Sequence, residues 1–169
     1  MEQRLGFGIG FVEHARSVNN RMPAYVAARV GEALNGVGKP LRGARLVVLG
    51  LTYKPGVNDV RESPALKVLE RLVGAGADCS YHDPYVPSVR IGGRRADDFP
   101  RLPADTPDEQ VPRMSSVHLD AEVLRGADCV VILTAHPGVD YRAVVDSAPL
   151  VFDAAGVTRA QRLDHVVLL

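Results

Sequence analysis

The sequence has no net charge, few cysteines and no long apolar segment, and each absence excludes a class of protein. Lysine plus arginine numbers 20, as does aspartate plus glutamate, so the chain has no electrostatic reason to bind nucleic acid or an anionic membrane surface. No apolar run approaches the roughly 20 residues of a membrane-spanning helix, and no stretch resembles a secretory signal. We therefore expect a cytoplasmic protein whose partners are small molecules or other proteins.

Cysteine is scarce, and its placement excludes further kinds of site. Cys79 and Cys129 are the two cysteines, and each lies in an apolar stretch that predicts a strand. We expect both thiols to be buried, reduced and unreactive. The chain has no CxxC pair or Cys/His cluster and its five histidines are scattered, so the sequence indicates no metal site.

The hydrophobic pattern of the 169 residues predicts one domain with a helix in front of it. Apolar residues recur at three- and four-residue steps from Phe11 to Leu34, which predicts a long helix that Pro23 must either kink or restart. Beyond it, short apolar runs alternate with helical patterns. The predicted strands cover 44–50, 78–83, 129–134, 150–154 and 165–169, and the predicted helices cover 64–75, 120–125 and 141–147. This alternation predicts an α/β fold with a doubly wound, mostly parallel sheet.

A segment rich in proline, glycine and charge, from Pro84 to Ser116, interrupts this alternation. A connection of this length inside a compact domain is usually a functional loop or is partly disordered. The sequence leaves the conformation of residues 87–116 open.

The connection after the first predicted strand, LTYKPGVNDVRESPA (51–65), contains more charged and aromatic side chains than a turn requires. It contains no GxGxxG, so its backbone cannot approach a pyrophosphate in the dinucleotide manner. Lys54 offers a cationic donor for a phosphate or a sugar hydroxyl, and Tyr53 offers a ring face and a hydroxyl. Because ligands bind at the carboxyl ends of the strands in such sheets, this loop is the candidate site.

The charged second half of the same loop has two readings. Asp59, Arg61 and Glu62 form an ion-pair knot that only shapes the loop, or Arg61 points outward toward a second anion. His136, just after another predicted strand, is similarly open to two readings, because it is either a structural histidine before Pro137 or a group at the ligand edge.

The segment YKPGVNDVRESPA resembles the signature of the UDP-glucose/GDP-mannose dehydrogenase family, the nucleotide-sugar 6-dehydrogenases. Other segments resemble the family in the same order along the chain. SVNNRMPAYVAARVGEALN is similar to its long central helix, SYHDPYVP to its second strand and turn, and ADCVVILTAHPGVDYRAVV with LVFDAAGV to its later strands. The DPYVP and HPGVDY segments look closest to the members that oxidise UDP-N-acetylglucosamine and UDP-N-acetylmannosamine.

The resemblance implies a Rossmann-like, UDP-sugar-binding domain over residues 37–169, preceded by a central helix segment, 1–36, that forms a homodimer through residues 11–34. In the family, the sugar C6 alcohol is oxidised to a carboxylate while two NAD are reduced. By position, Tyr53 and Lys54 would contact the UDP-sugar, and Arg61 would reach the NAD held by a separate domain.

The sequence departs from the family in what it lacks. No N-terminal NAD-binding domain and no GGxC nucleophile segment are present, so we expect no catalytic residue here and no activity from this chain alone. Ala154 and Ala155 follow Asp153, where members often carry a basic residue, which removes one substrate contact. The alternative to a portion of a dehydrogenase is a stand-alone, non-catalytic UDP-sugar-binding or interaction domain.

Overall fold

The computed structural model describes residues 10–92, 102–103, 105–161 and 163–169. Residues 1–9 and the side chain of Phe11, which belong to the predicted first helix segment, lie outside the described part. The elements in chain order are α1 (Gly10–Gly36), β1 (Arg45–Leu49), α2 (Pro64–Gly74), β2 (Asp78–His82), β3 (Ser88–Arg90), β4 (Arg113–Ser115), α3 (Ala121–Gly126), β5 (Cys129–Ile132), α4 (Tyr141–Ser147), β6 (Val151–Asp153) and β7 (Val166–Leu168).

Five strands form one parallel sheet in the order β2-β1-β5-β6-β7. The predicted parallel α/β fold is confirmed, with each strand slightly shorter than its apolar run. The chain moves outward from β1 to β2 and then returns to the other side of β1 with β5. The loops that follow β1 and β5 therefore leave the sheet at a topological switch point, where open α/β sheets bind ligands.

Both faces of this sheet are covered, which is why the central strands β1 and β5 are almost entirely apolar, whereas the edge strand β2 (DCSYH) is largely polar. Leu46 and Val48 of β1 pack in a cluster with residues of α1 and α2. Val47 and Leu49, which alternate with them, pack in a second cluster with residues of α3 and α4. Successive side chains of a strand point to opposite faces, so the sheet is doubly wound as predicted.

The helix α1 is continuous through Pro23. The helix therefore does not restart at the proline. Val26, Val30 and Leu34 bury the C-terminal half of the predicted apolar stripe. The N-terminal half is mostly exposed, including Val18, so only half of the stripe contributes to the core of this chain.

The segment between β2 and α3 contains a structure that the sequence did not reveal. β3 and β4 pair as an antiparallel two-stranded ribbon. After β4, the Val117 amide donates to the Tyr81 carbonyl at 2.8 Å, which protects the outer edge of β2. β3 (SVR) and β4 (RMS) are short and mostly polar or charged, so neither produces an apolar run in the sequence. Residues 93–101 and 104 of the expected loop lie outside the described residues.

Candidate functional site

The candidate loop leaves the carboxyl end of β1 through a tight backbone approach. Gly50 has φ +78, and a Cβ at this position would lie 2.1 Å from the Thr134 carbonyl oxygen. The Thr134 hydroxyl in turn donates to the Thr52 carbonyl at 2.8 Å. The glycine is therefore needed to bring the β1 and β5 loops together, and its bare backbone faces protein rather than open space.

Tyr53 and Lys54 lie at the tip of this loop. Both side chains are exposed, Tyr53 to 50%. The Lys54 Nζ lies 5.3 Å from the centroid of the Tyr53 ring, a cation–π distance. The Thr52 hydroxyl donates to the Lys54 carbonyl at 2.8 Å, so the lysine backbone is held while its ammonium group is available to an anion.

Arg61 and Asp59 form a two-pronged ion pair in the second half of the loop. The Arg61 Nη2 lies 2.7 Å from Asp59 Oδ2, and its Nε lies 3.0 Å from Oδ1. The Arg61 guanidinium holds the pKa of Asp59 at about 2. Glu62 contacts Lys67 at 3.7 Å instead. The Arg61–Asp59 ion pair that the first interpretation of the loop requires is therefore present. The Arg61 side chain is nevertheless 87% exposed, as the second interpretation requires.

His136 and Asp83 form a buried polar contact beneath the loop, from the ends of β5 and β2. The His136 Nε2 lies 3.0 Å from Asp83 Oδ2, and their side chains are 1% and 0% exposed. The Leu51 amide donates to the same carboxylate oxygen at 2.7 Å, and the Gly56 amide donates to His136 Nδ1 at 3.2 Å. Sequence reasoning did not single out Asp83, because its partners are 32 and 53 residues away in the chain.

A cleft of about 210 Å³ opens between this loop, α1 and α2. Tyr53 and Thr52 line one side, and Leu133 and Thr134 of the β5 loop line another. Apolar walls with a few hydroxyl groups are typical of a small-molecule subsite. Tyr53 therefore borders an open cleft rather than an isolated surface position.

Both cysteines lie in strands as predicted, but only Cys129 is fully buried as expected, and Cys79 is half-buried. Burial raises the pKa of the Cys79 thiol in β2 to about 12 and that of Cys129 in β5 to about 12. Both thiols are therefore protonated near neutral pH and are poor nucleophiles.

Within the described residues, three or more His, Cys, Asp or Glu side chains nowhere converge in a group able to hold a metal ion. Over the same residues, none of the helices has the length and apolar character needed to cross a membrane.

Comparison with known proteins identifies the family. The sequence model of the UDP-glucose/GDP-mannose dehydrogenase family, UDP binding domain, matches residues 47–160. The chain belongs to this family. The matched range begins in β1 and includes the candidate loop, Asp83 and His136.

Individual members of the UDP-glucose/GDP-mannose dehydrogenase family agree with this assignment. The UDP-N-acetyl-D-mannosamine dehydrogenase of Methanococcus maripaludis is 36% identical over 128 residues, which are 75% of this chain and 23% of the relative. The structure of the UDP-D-ManNAc dehydrogenase from Pyrococcus horikoshii is 25% identical with a TM-score of 0.73, and the match covers 99% of this chain and 35% of that one. A UDP-glucose dehydrogenase from Pyrobaculum islandicum is 28% identical with a TM-score of 0.67, over 98% of this chain and 33% of that one. The chain thus spans about a quarter of the length of the curated relatives it matches.

Proposed function

We propose that this chain binds the nucleotide-sugar substrate of an NAD-dependent nucleotide-sugar 6-dehydrogenase. The observation that carries the proposal is the match of residues 47–160 to the family's UDP binding domain, together with a lysine-bearing loop at the switch point of the sheet. The named relatives favour a UDP-N-acetylhexosamine, since the Methanococcus and Pyrococcus proteins are UDP-N-acetylmannosamine dehydrogenases.

Lys54 and Tyr53 are the proposed UDP-sugar contacts. A pyrophosphate carries negative charge that an exposed ammonium group can neutralise through charge-assisted hydrogen bonds. The Tyr53 ring borders the apolar cleft and supplies a face on which a planar or sugar ring can pack.

Arg61 is the proposed contact to NAD, which a separate dinucleotide-binding domain would hold. Two observations support this division of roles. The Arg61 side chain is largely exposed, and the glycine after β1 packs against the Thr134 carbonyl. The first turn of this domain therefore has no free backbone cradle for a dinucleotide pyrophosphate.

The proposed dehydrogenase oxidises the sugar C6 alcohol to a carboxylate while two NAD are reduced, and this chain alone is inactive. Cys79 and Cys129, with thiol pKa values of about 12, cannot act as the covalent nucleophile that such an oxidation uses. We place the enzyme in the cytoplasm. We assign residues 1–36 to a helix segment that dimerises through 11–34, and residues 37–169 to the UDP-sugar-binding domain.

Calorimetric titration of the chain with UDP, UDP-glucose and UDP-N-acetylglucosamine tests the proposal. Lys54→Ala is expected to weaken binding by about 1.5–3 kcal/mol, the worth of a charge-assisted hydrogen bond, with little loss of fold stability. Arg45→Ala is the matched control, because it removes one positive charge at the amino end of β1, the opposite edge of the sheet. Unfolding of the Lys54→Ala variant, or unchanged binding by it, would show that Lys54 is not a ligand contact.

A further inference from the structure

We propose that His136 is a positioning residue for the nucleotide-sugar site, which orders the Tyr53–Lys54 tip by accepting a hydrogen bond from the Gly56 amide. The proposal rests on the proposed function, since it assigns a role in the same site. It differs from ligand contact, because the His136 side chain is 1% exposed and acts through the loop.

The imidazole ring bridges the two loops that meet at the switch point. His136 belongs to the connection after β5, whereas Gly56 and Thr52 belong to the connection after β1. The Gly56 amide donates to Nδ1 at 3.2 Å, and Nε2 lies 3.2 Å from the Thr52 Oγ1. These two contacts flank Lys54 on both sides along the chain, so the position of the ring sets the position of the loop tip.

The hydrogen-bond donors around the ring determine which nitrogen carries the proton. Nδ1 accepts from the Gly56 N–H, which requires a lone pair there and leaves the proton on Nε2. Nε2–H then faces Asp83 Oδ2 at 3.0 Å and the Thr52 Oγ1. The Thr52 hydroxyl can accept, because its own proton is directed to the Lys54 carbonyl. One tautomer satisfies every group.

The ring is itself held rigidly from the side of the core. Asp83 accepts from the Leu51 and Tyr85 amides at 2.7 and 2.8 Å, and the Tyr85 ring lies over the imidazole at a centroid distance of 5.0 Å. The backbone amide of His136 donates to the Tyr141 hydroxyl at 2.7 Å. A side chain fixed in this way can order an exposed loop, since its own rotamer freedom is already lost.

The loop tip, unlike the His136 ring, is exposed to solvent, which explains why a fixed contact from the ring is needed. Residues 53–56 are all exposed, and an exposed segment would sample many conformations before it bound a ligand. Preorganisation of the tip reduces the entropy lost on binding and therefore increases affinity.

Two conservative substitutions of His136 test the roles of Nδ1 and Nε2 separately. In His136→Asn the amide oxygen can replace Nδ1 as acceptor for Gly56, and in His136→Gln the amide nitrogen can replace Nε2–H as donor to Asp83. We expect His136→Asn to bind UDP-sugar within about threefold of the wild type and His136→Gln to bind about tenfold more weakly. Equal binding by both variants, or equal weakening in both, would overturn the proposal.

Nuclear magnetic resonance provides a second test, which needs no ligand. The ¹⁵N shifts of the wild-type His136 ring are expected to show Nδ1 unprotonated, and hydrogen exchange of the Gly56 amide is expected to be faster in His136→Gln than in His136→Asn. A ring protonated on Nδ1 would overturn the positioning role. If the wild type binds no UDP-sugar while these spectral results hold, the proposed function fails and the anchoring of the loop by His136 stands.

Discussion

The Arg61 guanidinium is paired with Asp59 and is still exposed enough to contact a ligand. Its ion pair with Asp59 is formed in water, where solvent screening makes exposed salt bridges contribute little to stability. A pyrophosphate with two negative charges competes favourably with one carboxylate for a guanidinium, since bidentate phosphate contacts are among the strongest that arginine makes. The ion pair is therefore compatible with either reading of the loop, and a substitution must decide between them.

Arg61→Ala is expected to leave UDP-sugar binding by this chain unchanged and to weaken NAD binding once the chain is combined with a dinucleotide-binding domain. Titration with each ligand measures the two effects, and Arg142→Ala, which removes an exposed charge from α4, is the control. If Arg61→Ala and Asp59→Ala both weaken UDP-sugar binding, the pair instead shapes the loop for the substrate.

Asp128 makes the stability of the fold dependent on pH. It lies before β5, where Lys39 and the Arg45 amide bond its carboxylate, and the hydrogen bond from Lys39 is the main cause that lowers its pKa to about 2. A carboxyl whose folded pKa is depressed stabilises the fold above its unfolded pKa, near 4, and loses that contribution as pH falls toward 2.

Asp128→Asn is expected to lower the free energy of unfolding by about 1–2 kcal/mol at neutral pH and by less at pH 3. Urea unfolding at both pH values measures the difference. Asp78→Asn, at an exposed carboxyl on the same edge of the sheet, is the control. A deficit that is equal at the two pH values would contradict the assignment of this pKa shift to the folded state.

At the scale of the element, α2 shows how the chain passes from the candidate loop into regular structure. Ser63 caps the helix, accepting from the Ala65 amide at 3.2 Å, and Pro64 occupies the first turn. Glu62 immediately before it has φ +55, a conformation that is costly for a residue with a Cβ. The cap and the packing of α2 must hold this residue in place.

Ser63→Ala is expected to destabilise the domain by about 1 kcal/mol, because it leaves an amide of the first turn without its acceptor. Chemical denaturation followed by circular dichroism measures the loss, and Ser17→Ala on the exposed part of α1 is the control. Equal stability of the two variants would mean that the Ser63 hydroxyl makes no net contribution. Weaker UDP-sugar binding by the folded Ser63→Ala variant would show that the cap also orders the loop.

For the molecule as a whole, α1 stands out because a single chain leaves several of its large apolar side chains exposed. One face packs on α2 and the sheet, whereas Val12, Val18 and Tyr25 are 50%, 38% and 53% exposed. Val18 and Tyr25 are seven residues apart and therefore lie on the same side of the helix. This side is the part of the 11–34 segment that remains for the proposed dimer contact.

Replacement of Val18 and Tyr25 together by lysine is expected to convert the proposed dimer to a monomer, because two charges would be buried at its interface. Sedimentation at micromolar concentration measures the change. Ser17→Lys with Ala24→Lys is the matched control, with the same charge and spacing one residue earlier on the helix. A wild-type chain that sediments as a monomer would refute dimerisation through α1.

Local patterns in the sequence were enough to predict the class of the fold and to select the candidate loop. Apolar strand runs, the Ser63–Pro64 helix start and the alternation of strands with helices are local patterns, and each was recovered within a residue or two. Tyr53, Lys54 and Arg61 could be proposed as site residues because they lie in one short segment that resembles the family signature, and their roles stay predictions.

The side chains that surround the candidate loop became known only from the folded chain. The Gly56–His136 and Asp83–His136 contacts join residues 80 and 53 positions apart, and the order in which strands pair brings them together. The β3–β4 ribbon was missed for a related reason, since its strands are short, mostly polar segments that have no apolar run of their own and are strands only because they pair with each other. Local propensity acts between near neighbours, whereas burial and hydrogen bonding act between whichever residues the topology makes adjacent.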